Sequence, residues 1–223
     1  NIPHLLPWPQ KVAWNGKKFQ YRGTFVSLTE NFCSIGMEQP AGNKITGNPS
    51  SHPALSVKWV EDFPDIPLNR NEAYKLRVTS KGVEIEAITE TGVYRAIQTL
   101  RQLTEKKGNG IAITGCEITD WPAFRIRGFM QDVGRTYIST DELKREIAIL
   151  ARYKINVFHW HLTENQAWRL QSKVFPMLND SVNTTRQPGK YYTLEEAREL
   201  AAFCKQHHVL LIPEIDMPGH SAA

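Results

Sequence analysis

Ile155-Asn156-Val157-Phe158-His159-Trp160-His161-Leu162 is an apolar run with almost no polar interruption except histidines. Apolar on both alternating faces, it reads as a strand buried on both sides of a sheet. Two more such runs lie around it, Ile126 to Gln131 before and Val209 to Ile215 after. Helical patterns fill the gaps. Ser139 and Glu142 have capping-box spacing ahead of Leu143, Ile147 and Leu150. Thr193 and Glu196 repeat it ahead of an apolar stripe of Leu194, Ala197, Ala201 and Cys204. The neighbouring carboxylates Asp141 and Glu142 suit the positive end of their helix and read as structural. Buried strands alternating with amphipathic helices imply a parallel sheet, either an open doubly wound sheet or a (β/α)8 barrel.

Between these two, the strand ends decide. Gly134 stands alone, and neither GxGxxG nor a P-loop occurs, which weakens nucleotide binding. The C-terminal strand ends are instead crowded with polar groups: Asp132 and Arg135, then His159, His161 and Glu164, then Glu214, Asp216 and His220. Barrel enzymes build their active sites at that end, so a barrel is favoured, with only its first three strands present.

Upstream the rhythm differs. Tyr74, Leu76 and Val78 alternate against Val83, Ile85 and Ala87 across Ser80-Lys81-Gly82, the pattern of a half-buried hairpin. Leu55 to Val60 reads as a further strand. Val93, Ala96, Ile97, Leu100 and Leu103 give Thr91 to Leu103 one apolar helical face. Residues 104–110, with Lys106, Lys107, Gly108 and Gly110, end that helix, and Ile111 to Ile118 is a last strand before Asp120-Trp121-Pro122. The expected organisation is α/β: a small α+β domain over residues 1–120, then the first part of a TIM barrel over 121–223.

Composition narrows the function. No stretch approaches the roughly 18 apolar residues of a membrane span. The 27 basic and 23 acidic residues are interspersed without the basic tract that nucleic-acid binding favours. Cys33, Cys116 and Cys204 are odd in number and far apart, which argues against a disulfide framework or a clustered zinc site and for small buried hydrophobes. No charged segment followed by an apolar one begins at Asn1, so the sequence leaves the compartment open.

Several side chains can carry chemistry. Arg135 can bridge sugar hydroxyls with its rigid fork, or simply pair with Asp132. His159 and His161, two apart on a strand, share a face and can line a pocket or, with Glu164 and His220, hold a metal. Glu214 and Asp216 are also two apart, roughly 6.6 Å between Cα atoms at about 3.3 Å per residue. They can divide acid and base roles in glycoside hydrolysis or orient a neighbouring histidine. Asp216 and His220 suit a carboxylate–imidazole pair. His207 and His208, closing a helix, read as surface residues.

Arg127-Gly128-Phe129-Met130-Gln131-Asp132-Val133-Gly134-Arg135, Asn156-Val157-Phe158-His159-Trp160-His161-Leu162-Thr163-Glu164 and Pro213-Glu214-Ile215-Asp216-Met217-Pro218-Gly219-His220-Ser221 resemble motifs of the β-N-acetylhexosaminidases of glycoside hydrolase family 20. Pro7-Trp8-Pro9-Gln10, Thr91-Gly92, Gln98-Thr99-Leu100 and Gln102-Leu103 resemble that family's small α+β domain. The resemblance implies removal of terminal β-linked N-acetylglucosamine or N-acetylgalactosamine from oligosaccharides, with retention of configuration. The nucleophile would be the substrate's own 2-acetamido carbonyl, as in the substrate-assisted exception to the two-carboxylate scheme. An adjacent Asp-Glu pair at the end of the fourth strand would polarise the acetamide and protonate the leaving oxygen, so the expectation is a chain that stops short of its acid and is inactive alone.

By the same resemblance, Arg135 binds sugar hydroxyls, His161 lines the pocket, and His220 with Asp216 tunes the acid. The family's usual His after the arginine is Thr136 here, and its double Asp is Glu164-Asn165. A carboxylate at 164 would complete the support of the acid. No cofactor, metal, nucleic acid or membrane span is implied, a periplasmic, extracellular or lysosome-like setting is, and a three-strand piece of a barrel should self-associate. A metal-dependent barrel hydrolase and a non-catalytic carbohydrate-binding protein are the alternatives.

Overall fold

The computed structural model describes residues 3–25, 27–29 and 54–222, and Cys33 lies outside them. Contacts divide the chain into two compact units, Asn1–Arg125 and Ile126–Ala223.

The first unit contains β1 (Lys11–Tyr21), β2 (Leu55–Trp59), β3 (Tyr74–Thr79), β4 (Gly82–Ala87), α1 (Glu90–Gln102), β5 (Thr104–Lys107) and β6 (Gly110–Asp120). Its sheet runs β1-β6-β3-β4-β2, with β5 also on β6. The expected hairpin forms with Leu76 opposite Ile85 and Val78 opposite Val83, and β2 adds to β4 in parallel. Helix α1 starts at Thr89, whose hydroxyl accepts the Gly92 amide, and buries Val93, Ala96, Ile97 and Leu100 in one core with Leu76, Ile85, Ile113 and Ile118.

Two features depart from the sequence reading. Thr104–Lys107 is a strand rather than a helix terminator, turning through Gly108 (φ +57°) to pair Lys107 with Gly110. Its outward Glu105, Lys106 and Lys107 leave no apolar alternation to read. The eleven-residue β1 was hidden for a different reason. Its pairing with β6 shifts between Trp14 and Lys18, and the core-packing residues change from even positions, Val12 and Trp14, to odd ones, Phe19 and Tyr21. Such a bulge breaks the period of two. Opposite it, a Cβ on Gly115 would stand 2.2 Å from Asn15 Oδ1, so only glycine fits.

The second unit contains β7 (Gly128–Asp132), α2 (Thr140–Arg152), β8 (Val157–His161), the short hairpin β9 (Thr163–Glu164) and β10 (Ala167–Trp168), α3 (Leu194–Gln206) and β11 (Leu210–Glu214). Strands β7, β8 and β11 are parallel with β8 central. Both capping boxes form, at Ser139 with Glu142 and at Thr193 with Glu196. Helix α2 buries Leu143, Ile147 and Ala151. Helix α3 buries Leu200 and Cys204, whereas Ala201 is exposed, so its inward stripe is rotated from the one expected. His207 caps α3 half-buried rather than on the surface, and His208 is likewise half-buried. Burial, with Arg152 adding to it, pulls the His207 imidazole below its ordinary value, so the neutral ring is favoured where a dipole argument would favour the cation. Burial pushes the thiols of Cys116 and Cys204 up to about 12, as befits packed, inert groups.

Candidate active site

Register sets the site. Asp132 pairs with His161 across β7 and β8, and His161 with Glu214 across β8 and β11, so three polar residues end three parallel strands at one level. One step earlier on the same face of β8, His159 reaches the same carboxylate. Glu214 Oε2 lies 2.8 Å from His161 Nδ1 and 2.6 Å from His159 Nε2. Burial alone would raise the Glu214 carboxyl, but the two imidazoles outweigh it and hold it below the usual range. A carboxylate kept charged in this way is a poor proton donor, and its two short contacts are those of a group that orients His159 and His161.

The second cluster is built on Glu164, whose side chain is buried. Both of its oxygens contact His220 Nδ1, at 2.6 and 2.7 Å, Arg135 Nη2 lies 2.9 Å from Oε2, and the Asn165 amide donates to Oε1 at 3.2 Å. Arg135 turns its other nitrogen to Asp132 Oδ2 at 2.7 Å, while its amide donates to Asp132 Oδ1 at 3.0 Å. The bland alternative for Arg135, a pair with Asp132, therefore exists together with a second pair. The guanidinium spans two carboxylates and stays half-exposed. The hydrogen bond from His220, helped by the Asn165 amide and Arg135, holds the Glu164 carboxyl below its ordinary value. Glu164 in turn raises His220. The His161 and His220 rings meet edge to face at 5.7 Å, joining the two clusters.

Asp216 lies close enough to act on His220, but the hydrogen bond goes to another carboxylate. The His220 imidazole bonds to Glu164, and Asp216 acts on it only as a nearby negative charge. The Asp216 amide is held by Thr163 Oγ1 at 3.0 Å. Gly134, just before Arg135, is needed by close approach: a Cβ there would stand 2.8 Å from Glu164 Cβ.

Among the described residues, two trios have the proximity of metal ligands, His161 with Glu164 and His220, and His161 with Glu214 and Asp216. In the first trio His220 is bonded to Glu164 and the Arg135 guanidinium sits against the same carboxylate, where it would repel a cation, and in the second His161 is bonded to Glu214. A further member went unread: Arg169, fully buried behind the loop that carries Arg135. Its only trace in the sequence is a lone cation inside the run Ala167-Trp168-Arg169-Leu170.

Residues 3–121 match domain 2 of glycosyl hydrolase family 20, and residues 124–223 match that family's catalytic domain. A β-hexosaminidase of Porphyromonas gingivalis is 40% identical over 199 residues, covering 83% of this chain and 24% of that protein. A β-N-acetylhexosaminidase of Cellulomonas fimi is 36% identical over 171 residues, covering 75% of this chain and 34% of that protein. The solved exo β-N-acetylglucosaminidase of Vibrio harveyi in complex with N-acetylglucosamine superposes with a TM-score of 0.76 at 29% identity, over 98% of this chain and 37% of that one. The Streptomyces plicatus N-acetyl-β-hexosaminidase gives 0.78 at 29% identity, over 97% and 46%. The chain thus spans 24% and 34% of the two curated relatives. These likenesses fix the fold as a small α+β domain followed by the opening part of a TIM barrel.

Proposed function

The chain belongs to glycosyl hydrolase family 20, and from that premise we propose that it is the amino-terminal portion of a retaining exo-β-N-acetylhexosaminidase and carries the sugar-recognising half of its active site. The relatives' names support this reading, as do neighbouring structures solved with N-acetylglucosamine bound. The domains divide near residue 120. The substrates are oligosaccharides ending in β-linked N-acetylglucosamine or N-acetylgalactosamine.

In this reading the acetamide carbonyl of the substrate attacks the anomeric carbon. An adjacent Asp-Glu pair at the end of the family barrel's fourth strand polarises that acetamide and protonates the leaving oxygen. The residues of this chain prepare the site. Asp132 and Glu164 hold the Arg135 guanidinium from two sides, leaving its exposed edge to donate to sugar hydroxyls. Glu164 and His220 form a hydrogen-bonded pair whose field tunes the acid, with Asp216 adding negative charge beside the imidazole. His161, fixed by Glu214, lines the pocket wall. The observation that carries the proposal is the continuous Asp132–Arg135–Glu164–His220 chain at the C-terminal strand ends, because a guanidinium locked between two carboxylates is a rigid donor for a polyol.

The test is Arg135→Lys in the enzyme with its barrel complete. A charged hydrogen bond contributes about 1.5–3 kcal/mol, so kcat/KM for an aryl N-acetylglucosaminide should fall by roughly one to two orders of magnitude with the pH optimum unmoved. Near-normal kinetics with lowered thermal stability would reduce Arg135 to a structural ion pair and overturn the assignment.

A further inference from the structure

We infer that Arg169 is a positioning residue that clamps the loop presenting Arg135, an inference that rests on the sugar-binding reading of Arg135. Arg169 follows β10 directly and its side chain is fully buried. Its guanidinium donates to five backbone carbonyls: Nε to Val133 at 3.1 Å, Nη2 to Gly134 at 3.2 Å and Arg186 at 2.8 Å, Nη1 to Gln187 at 3.3 Å and Lys190 at 2.7 Å. A guanidinium has five N–H donors, and all are used. Two carbonyls belong to the residues just before Arg135, and three belong to the loop that leads into α3.

The same two loops are joined twice more. The Tyr137 amide donates to Gln187 Oε1 at 2.6 Å, and the Tyr192 hydroxyl donates to the Ile138 carbonyl at 2.6 Å beneath stacked Tyr137 and Tyr192 rings. The backbone of Arg169 is pinned as well, its amide to the Leu162 carbonyl and its carbonyl to the Tyr192 amide. A lysine offers three donors from one point and cannot span both loops. Gly134 transmits the clamp: it lies so close to Glu164 that even a Cβ would collide, so any shift of its carbonyl moves Arg135 relative to Glu164.

Two readouts test this. In the complete enzyme, Arg169→Lys should raise KM for an aryl N-acetylglucosaminide by about tenfold or more with a smaller change in kcat, and the milder Tyr192→Phe should shift KM in the same direction. Both act through Arg135, so Arg135→Lys combined with Arg169→Lys should lose less than the product of the single losses. Unchanged KM in both single variants, or a fully multiplicative double variant, overturns the inference. In the 223-residue chain, hydrogen exchange of Arg169→Lys should speed up by about tenfold or more in 133–138 and 186–190 while β3 and β4 keep their protection. If Arg135→Lys alone leaves kinetics normal, the sugar-binding reading has failed, and the exchange experiment still decides the clamp: faster exchange in both loops sustains it and unchanged exchange removes it.

Discussion

Among the described residues, each unit buries one arginine, and their surroundings differ. Arg95, on α1 of the amino-terminal unit, places its Nε 3.0 Å from the Glu72 carboxylate. Arg169, in the barrel unit, gives its hydrogen bonds to backbone carbonyls. A buried ion pair is often replaceable by apolar side chains of similar volume without loss, because both charges leave together. Carbonyls cannot leave, so removing Arg169 strands the buried Val133 and Gly134 acceptors. The apolar groups follow the same division. In the first unit Leu76, Ile85, Leu100 and Ile113 are sealed in one core, whereas the outer barrel strands expose Met130 on β7 and Leu210 and Ile212 on β11. One unit is organised around a finished core, the other around a polar rim whose outer strands β7 and β11 each pair on one side only among the described residues.

The sharpest break of this comparison is a pair of truncations read by urea unfolding. Leu100→Ala, at a sealed position, should cost about 2–5 kcal/mol. Leu210→Ala, at a site 61% exposed, should stay within about 0.5 kcal/mol. Equal costs would mean that the β11 edge is as well packed as the core.

The open edge also predicts association of the 223-residue chain, since unpaired apolar strands template pairing with another copy. Leu210→Lys should weaken that self-association by about tenfold or more in sedimentation equilibrium. A chain that stays monomeric before the substitution would break the contrast.

A smaller effect concerns the rim. Glu164 titrates below its ordinary 4.5, so its contribution to stability is complete above 4.5 and lost as pH falls through the depressed value. His220 titrates above its ordinary 6.5, so its contribution is complete below 6.5 and lost as pH rises through the raised value. Between 4.5 and 6.5 both are fully present. His220→Gln should therefore lower Tm most in that window, by no more than about 2–4 °C for so exposed a partner, and least in alkaline solution. A Tm difference that keeps growing as pH rises above 6.5 would contradict the Glu164–His220 pairing.

The smallest expected effect is none: treating the complete enzyme with chelator should leave its rate unchanged, as substrate-assisted chemistry requires no metal. Chelator-sensitive turnover restored by stoichiometric zinc would reassign the histidines as ligands.

Much of this was legible in the sequence because it depends on local periodicity. Capping boxes, the hairpin around Ser80-Lys81 and the apolar runs of β7, β8 and β11 are written in residues close together along the chain. Period-two spacing likewise put His159 and His161 on one face, where both meet Glu214. What spacing misjudged is what crosses the chain. Four residues separate Asp216 from His220, yet His220, in a left-handed conformation (φ 54°), pairs with Glu164, 56 residues away. The bulge hid β1 by breaking its alternation, and five carbonyls from two loops carry no side-chain signal that could announce Arg169. The sequence by itself thus determined the elements whose periodicity is unbroken, the fold class and the end of the sheet that bears the polar residues. Only the tertiary structure decided which carboxylate serves which cation, because that choice depends on strand register and on backbone acceptors that every residue carries alike.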